Sequence, residues 1–121
     1  MELERLNGDL TVCKLADFQA IRADAPFFFV GKTDEELSLV CRTEDAPKDA
    51  LARDDDWRAF RIRGTLDFSL VGILAGISGL LAENGISIFA VSTYDTDYIL
   101  VKKDRFEQAL QVLSEAGYTV V

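Results

Sequence analysis

The sequence contains no histidine, only two cysteines and two prolines, and fewer basic than acidic residues. Histidine is the commonest general base and the commonest metal ligand, so its absence weighs against an enzyme. Cys13 and Cys41 lie in apolar, strand-like segments, where a thiol packs as a small hydrophobe, and one pair is too few for a metal cage. We therefore expect a non-enzymatic protein with no metal and no cofactor.

The charge balance argues against two classes of partner. Thirteen Lys and Arg against 21 Asp and Glu give a formal net charge of -8. The basic residues form no cluster, so neither nucleic acid nor an anionic membrane is an expected partner, whereas cationic and zwitterionic ligands stay open. The longest apolar stretch, residues 68–82, is interrupted by three glycines and two serines, and the N-terminus is charged. We predict a cytoplasmic protein.

Residues 57–121 begin with the pattern of a strand, a helix and a hairpin. Alternating apolar and basic residues at 57–63 indicate a strand. An apolar repeat at helical spacing runs from Leu70 to a stop at Gly85, and Asp67 or Ser69 can cap its start. Two β-rich runs follow, at residues 86–93 and 97–102.

A second helix and a last strand complete this pattern. Asp104 and Glu107 form a capping box, and Gly117 ends the helix. Its predicted buried stripe consists of Phe106, Ala109, Leu110 and Leu113. Residues 118–121 form the last strand. With right-handed crossovers, this order folds into an α+β unit with a four-stranded antiparallel sheet and both helices on one face.

The first half of the chain repeats features of this unit. A shift of 61 positions superimposes residues of the predicted hairpins: Phe28 on Phe89, Val30 on Val91, Asp34 on Asp95, Leu39 on Leu100 and Val40 on Val101. We infer an internal duplication with subdomains at residues 1–60 and 57–121. Residues 10–15 then form the first strand of the first repeat, and its first helix is shortened or absent. Residues 44–56 are at best a short helix and otherwise a solvated loop.

The loop that leads into the first helix is one candidate ligand site. Unpaired amides and the positive end of the helix dipole favour a carboxylate there. One face of the predicted helix carries no side chains, because glycines occupy positions 72, 76 and 79. Such a face suits tight packing or the approach of a ligand, and the residues are Gly72, Gly76 and Gly79. Both interpretations stay open for Gly72, and packing is favoured for the other two. The candidate residues are Asp67, Phe68, Ser69, Leu70, Val71 and Gly72.

The predicted hairpin is the second candidate region. Ser92 and Thr93 lie at a strand end, and Asp95 and Asp97 follow in the turn. Their hydroxyl and carboxylate oxygens suit an ammonium or guanidinium group. Hairpin turns use the same side chains for their own hydrogen bonds, so a purely structural role stays equally open.

These segments resemble a known family. Residues 66–70 and 85–98, followed by Leu100 and Val101, look like those of small bacterial tandem ACT-domain proteins related to the cytosolic arginine sensors of animals. The resemblance implies a duplicated ferredoxin-like ACT fold with an abbreviated first repeat. It also implies that ACT domains pair and hold a small ligand, in many members an amino acid, between them. The implied contacts are residues 67–72 and, in the hairpin region, Ile88, Phe89, Ala90, Ser92, Thr93, Asp95 and Asp97.

Two functions therefore remain from the sequence. The first is a regulatory or sensing protein, expected to be a homodimer, that binds an amino acid at an ACT–ACT interface. The second is a structural association module that forms a dimer without a ligand.

Overall fold

The computed structural model describes residues 1–64 and 71–121. Its strands are β1 (Glu2–Arg5), β2 (Leu10–Leu15), β3 (Phe28–Lys32), β4 (Leu37–Arg42), β5 (Ala52–Ile62), β6 (Phe89–Ser92), β7 (Asp97–Lys102) and β8 (Thr119–Val120). Its helices are α1 (Ile73–Glu83) and α2 (Phe106–Glu115), and short 3-10 turns span Phe18–Ala20, Thr43–Asp45 and Lys103–Arg105. The chain forms two compact units, an N-terminal unit of Gly8–Trp57 and a C-terminal unit of Met1–Asn7 with Arg58–Val121.

The sheet of the C-terminal unit includes β1, which the sequence pattern did not predict. Its strand order is β6–β7–β5–β1–β8, with residues 58–62 of β5 taking part. β1 pairs antiparallel with β5 and parallel with β8, so Leu3 has Ile62 on one side and Val120 on the other. The prediction of a four-stranded, wholly antiparallel sheet is wrong, because β1 separates the first and last strands of the predicted unit. Met1–Asn7, assigned by the sequence to the subdomain of residues 1–60, packs within this unit.

Both helices begin differently from the sequence prediction. α1 starts at Ile73, and the residue before it, Gly72, has a φ of 81° and offers no side-chain cap. The helix therefore starts later than the predicted apolar repeat, whose first residue, Leu70, lies outside the described residues together with the candidate caps Asp67 and Ser69. α2 follows a 3-10 turn and also lacks a side-chain cap. The predicted capping box does not form, because the Glu107 carboxylate accepts a hydrogen bond from the Arg5 guanidinium at 2.8 Å.

Both helices end at the predicted glycines. Gly85 has a φ of 70° and Gly117 a φ of 106°, which are conformations that side chains disfavour. The amide of Ile86 donates to the Leu81 carbonyl at 2.9 Å, which closes the last turn of α1 and returns an apolar side chain to the core.

The core of the C-terminal unit packs both helices against its strands. α2 buries the predicted stripe of Phe106, Ala109, Leu110 and Leu113. The rest of the buried cluster consists of Leu3, Phe60, Ile62, Ile77, Leu81, Ile86, Ile99 and Val101. The predicted α+β, ferredoxin-like fold class is confirmed. Among the described residues, no helix has the length and apolar character needed to cross a bilayer.

The N-terminal unit uses a related strand order without long helices. Its order is β3–β4–β2–β5, with residues 52–57 of β5. Two 3-10 turns take the places of the helical segments of the C-terminal unit. In chain order, Phe18–Ala20 corresponds to α1, and Thr43–Asp45 corresponds to the 3-10 turn that precedes α2. The buried cluster is small and consists of Cys13, Leu15, Leu37, Leu39 and Cys41. Both cysteines are free and buried, so the predicted packing role is confirmed.

The acidic run before Trp57 is a strand and not a loop. β5 begins at Ala52, so the prediction of a solvated loop is wrong for the later part of residues 44–56. Asp56 has a φ of 67°, and the pairing register with β2 shifts between Leu10 and Val12. An extra residue at this point makes a β-bulge, which lets the strand carry three consecutive aspartates.

A buried hydroxyl lies beside this bulge and gives a test of it. Thr11 is fully buried, donates to the Asp55 carboxylate at 2.6 Å and lies 2.9 Å from the Thr43 hydroxyl. Replacing it by valine, Thr11→Val, keeps the shape and removes both bonds, so we expect a loss of about 1–2 kcal/mol in the free energy of unfolding. Chemical denaturation measures it, with Thr119→Val as the exposed control. Equal stability of the two variants would show that the network contributes nothing.

The two hairpins are offset by 60 positions and not by the predicted 61. β4 and β7 start at Leu37 and Asp97, 60 positions apart, and the 3-10 turns that follow them keep the same spacing. The turns match as well, since the amides of Thr33 and Thr93 donate to the carbonyls of the residues three positions on, at 2.9 and 2.8 Å. In both β4 and β7, three consecutive residues in the middle of the strand are buried. The sequence therefore lacks the alternation of apolar and polar residues that fixes a strand's register, and this is why the predicted offset was wrong by one residue.

Candidate functional site

The first candidate loop is described only at its end. Asp67, Phe68, Ser69 and Leu70 lie outside the described residues. The next residue, Val71, is 89% exposed, and Gly72 adopts a left-handed conformation immediately before α1. Since no side chain of the described residues caps α1, the amides of its first turn and the positive end of its dipole suit a carboxylate.

The second candidate region forms a tight hairpin turn that uses most of its polar side chains. The Ser92 hydroxyl donates to the Asp97 carboxylate at 2.6 Å. The Thr93 hydroxyl donates to the Thr96 carbonyl at 3.0 Å. Ser92, Thr93 and Asp97 therefore have the structural role in the turn that the sequence left open.

Asp95 differs from these three residues because the turn does not use its carboxylate. It is exposed at the tip beside Tyr94, whose side chain is 80% exposed. Within residues 1–64 and 71–121, the Asp95 carboxylate makes no hydrogen bond or ion pair. It is thus available to a cation from outside the chain.

The sequence analysis missed Thr96, which anchors this turn. Its side chain is buried, and its hydroxyl donates to the Ile62 carbonyl of β5 at 2.7 Å. The signal was present as a threonine at both ends of the turn, Thr93 and Thr96, but turn composition does not show which hydroxyl points inward.

The remaining candidate residues lie on or just before β6. Ile88 and Phe89 are half-buried, with Ile88 packed against the core, whereas Ala90 is exposed. In the described part of the C-terminal unit, β6 pairs with β7 alone and is therefore an edge strand. Its outward backbone groups are a template for pairing with another strand.

A shallow groove of about 620 Å³ lies at the far end of α1 from Gly72. Of the predicted site residues, Ile88 lines it, together with Ser78, Gly79, Ala82, Gly85, Ile86 and Ser87. A side chain at Gly76 would approach the Tyr118 hydroxyl to 3.3 Å, which confirms the packing role of that glycine. A side chain at Gly79 would meet no atom of the described residues within 4 Å, so the packing role predicted for Gly79 has no partner among them.

The N-terminal unit contains a groove that the sequence analysis did not predict. It has a volume of about 390 Å³ and lies between the loop after β2 and the β3–β4 turn. These two elements correspond to the two candidate regions of the C-terminal unit. The groove is lined by Lys14, Leu15, Ala16, Asp17, Phe18, Lys32, Asp34, Glu35, Glu36, Leu37 and Leu51.

Two arginines near the end of β5, Arg61 and Arg63, form ion pairs with glutamates. Arg61 donates to both oxygens of the Glu4 carboxylate, at 3.1 and 3.3 Å, and to the Tyr98 hydroxyl at 3.3 Å. The hydrogen bond from Arg61 holds the pKa of Glu4 below its ordinary value. Arg63 donates to one oxygen of the Glu2 carboxylate at 3.3 Å. No group of three or more metal-ligating side chains occurs in the described ranges.

Comparison with known proteins gives relatives in sequence and in structure. The family model for the ACT domain matches residues 52–115, more than half of the chain. The cytosolic arginine sensor for mTORC1 subunit 1 from Homo sapiens is 34% identical over 94 residues, which cover 72% of this chain and 29% of the relative. The Rattus norvegicus protein of the same name is 33% identical over 95 residues, again covering 29% of the relative. The chain therefore spans less than a third of the curated relatives it matches.

Two solved structures extend the comparison. The Agrobacterium tumefaciens protein Atu0741 is 34% identical, with a TM-score of 0.87 over 99% of this chain and 91% of its own. The regulatory subunit of aspartate kinase from Thermus thermophilus has a TM-score of 0.69 over 95% of this chain and 96% of its own, but only 13% identity, so it supports the fold alone. The protein described here belongs to the ACT domain family.

Proposed function

We propose that this protein is a non-enzymatic regulatory or sensing module that binds an amino acid at an interface between ACT units. The proposal is supported by membership of the ACT family and by a relative that is named as an arginine sensor. The observation that carries it is the start of α1 behind Gly72, which no side chain of the described residues caps, because the amides of a helix start favour a carboxylate, which every amino acid has.

The proposed site uses the two candidate regions of the C-terminal unit. The ligand carboxylate binds the amides at the start of α1, and its α-ammonium faces the oxygens of Ser92 and Thr93. The free carboxylate of Asp95 binds a polar or cationic ligand side chain. The proposed site residues are Asp67, Phe68, Ser69, Leu70, Val71, Gly72, Ile88, Phe89, Ala90, Ser92, Thr93, Asp95 and Asp97.

We further propose that the site is completed by a second copy of the chain. β6 has one unpaired edge in the described C-terminal unit, and three of the proposed residues lie on this strand. Pairing of two such edges in a homodimer brings the start of α1 in one protomer towards β6 in its partner.

A thermal-shift screen of the twenty amino acids tests the proposal. A ligand present at about one hundred times its Kd stabilises the native state by about 2.7 kcal/mol. For a domain of this size, that corresponds to a rise in Tm of roughly 10 °C. If no amino acid raises the Tm at millimolar concentration, the proposal fails.

The variant Asp95→Asn tests the role given to the free carboxylate. Because the turn does not use this side chain, the ligand-free Tm should stay within about 1 °C, whereas the affinity for the stabilising amino acid should fall roughly tenfold. Isothermal titration calorimetry measures the loss. Asp49→Asn removes an exposed charge from the N-terminal unit and should leave the affinity unchanged. Equal affinity of both variants would remove Asp95 from the site.

The unpaired edge of β6 also favours a second candidate function, a structural dimerisation module without a ligand. The two functions differ in a measurable way. Ligand binding across the interface makes the dimer dissociation constant depend on the amino acid, by linkage. Analytical ultracentrifugation with and without the stabilising amino acid distinguishes them, since a purely structural dimer is unaffected.

A further inference from the structure

We propose that Asn7 is a site of spontaneous chemical modification, where the backbone nitrogen of Gly8 attacks the side-chain amide and converts the asparagine to isoaspartate. The asparagines of the chain are Asn7 and Asn84, and a glycine follows each of them. A glycine in this place favours the reaction, since it has no side chain to shield its nitrogen or to restrict its backbone. The inference does not depend on the ligand-binding function proposed above.

The reaction needs no enzyme, oxidant or metal. The nitrogen of Gly8 forms a bond to the side-chain carbonyl carbon, Cγ, of Asn7, and the bond from Cγ to Nδ2 breaks. Ammonia leaves with the proton that the Gly8 nitrogen gives up, and a succinimide ring remains. Water then opens the ring. Hydrolysis at Cγ gives aspartate, whereas hydrolysis at the main-chain carbonyl gives isoaspartate, in which the main chain runs through Cβ and Cγ.

The structure leaves the reacting nitrogen of Gly8 accessible. Asn7 and Gly8 are both exposed and lie in the connection between β1 and β2, outside any helix or strand. Within residues 1–64 and 71–121, the amide of Gly8 donates no backbone hydrogen bond. Such an amide can lose its proton and turn towards the neighbouring side chain without a preceding opening of the structure.

Asn84 has the same neighbour but is held by the end of α1. The amide of Gly85 donates to the Ala82 carbonyl at 3.0 Å, and the side-chain amide of Asn84 donates to the Leu80 carbonyl at 2.9 Å. Asn84 has a ψ of 13°, whereas ring closure needs its Cγ and the next nitrogen on the same side of the Cα–C bond. The end of the helix must therefore open before Asn84 can react.

Isoaspartate at position 7 lengthens a connection that is anchored on both sides. On one side, the amide of Leu6 donates to the Ala59 carbonyl at 2.9 Å. On the other side, the amide of Thr43 donates to the Asp9 carbonyl at 3.0 Å. The reaction adds a methylene group to the main chain between these anchors, together with a negative charge. The modified chain therefore holds β1 less firmly and unfolds at a lower temperature.

Mass spectrometry of the full chain, sampled during incubation at mildly alkaline pH, tests the inference. Trypsin separates the two asparagines into peptides of residues 6–14 and 64–102. In the native protein, the first peptide should gain the mass of deamidation roughly tenfold faster than the second or more, because two hydrogen bonds hold the second site. An isoaspartyl methyltransferase with S-adenosylmethionine then identifies the product, since it methylates isoaspartate and not aspartate.

Controls separate the fold from the sequence. In concentrated urea the two asparagines should react at similar rates, because a glycine follows each of them. Asn7→Gln keeps an amide but requires a larger ring, so methylation of the incubated chain should nearly disappear. Asn84→Gln, the matched control, should leave methylation unchanged. The deamidated chain, separated by ion exchange, should have a lower Tm than freshly prepared Asn7→Asp, which adds the charge without the methylene group.

Three results would overturn the assignment of the site. They are equal rates for Asn7 and Asn84 in the native protein, no reaction of Asn7 in the native protein when it reacts in urea, and undiminished methylation of the Asn7→Gln variant. Equal Tm values for the deamidated chain and Asn7→Asp would overturn the effect on β1. A thermal-shift screen with amino acids reports on the proposed ligand site separately, so failure of one proposal is visible independently of the other.

Discussion

Leu3→Ala is expected to lower the free energy of unfolding by about 2–5 kcal/mol, because it opens a cavity in the core of the C-terminal unit. Leu3 has 0% exposure and packs among Phe60, Ile62 and the helix residues of the same cluster. It also lies on a strand with a hydrogen-bonded partner on each side. Because both neighbouring strands hold β1 in place, the surrounding residues can fill the cavity only in part. We therefore expect a loss in the upper part of the range of about 2–5 kcal/mol. Urea denaturation followed by circular dichroism measures the loss.

The control for this prediction is the same substitution at an exposed leucine. Leu51→Ala removes a side chain that is 63% exposed, so its effect should stay within about 0.5 kcal/mol. Comparable losses for the two variants would show that β1 is not an integral strand. As a further consequence, a fragment of residues 57–121 should not fold on its own, since it lacks the strand between β5 and β8.

The second large effect is a loss of stability at alkaline pH that depends on Cys41. Burial raises the pKa of the Cys41 thiol from its ordinary value of 9.0 to about 12, and the pKa of Cys13 is raised for the same reason. The folded state therefore holds a proton that the unfolded chain releases above pH 9. Stability is fully present below that pH and is lost as the pH rises towards 12, by about 2 kcal/mol at pH 10.5 and roughly 4 kcal/mol at pH 12.

The variant Cys41→Ala separates this effect from other groups that titrate in the same range. It removes the thiol, so its free energy of unfolding should fall less steeply with pH than that of the unaltered protein between pH 8 and 10.5. Its lower stability at pH 8 does not matter, because the comparison is between slopes. Parallel slopes would contradict the prediction. The same protonation should leave Cys41 unreactive towards thiol reagents in the native protein at pH 8.

The sequence predicted best where a structure depends on neighbouring residues. The stripe of α2 and the stops at Gly85 and Gly117 follow from helical spacing and from the conformation of glycine, and all are confirmed. It failed where a partner lies far along the chain. Glu2–Arg5 has one buried apolar residue among charged neighbours, and nothing local shows that it pairs with β5 and β8.

The candidate site shows the same limit. The composition of the hairpin indicated acceptor oxygens, but only side-chain geometry distinguishes Asp97, which binds Ser92, from Asp95, which binds nothing within the described residues. The N-terminal groove was missed because its charges are spread from Lys14 to Glu36, and each one alone looks like part of a solvated surface.

The placement of β1 also sets an order for folding during synthesis. β1 precedes its partners along the chain: β5 follows only after the whole of Gly8–Trp57, and β8 lies near residue 120. The strands and turns of the N-terminal unit can pair as they emerge, whereas β1 stays unpaired until residues 60–62 have been made. Even then, a nascent chain exposes one edge of β1 to solvent and chaperones until β8 is available.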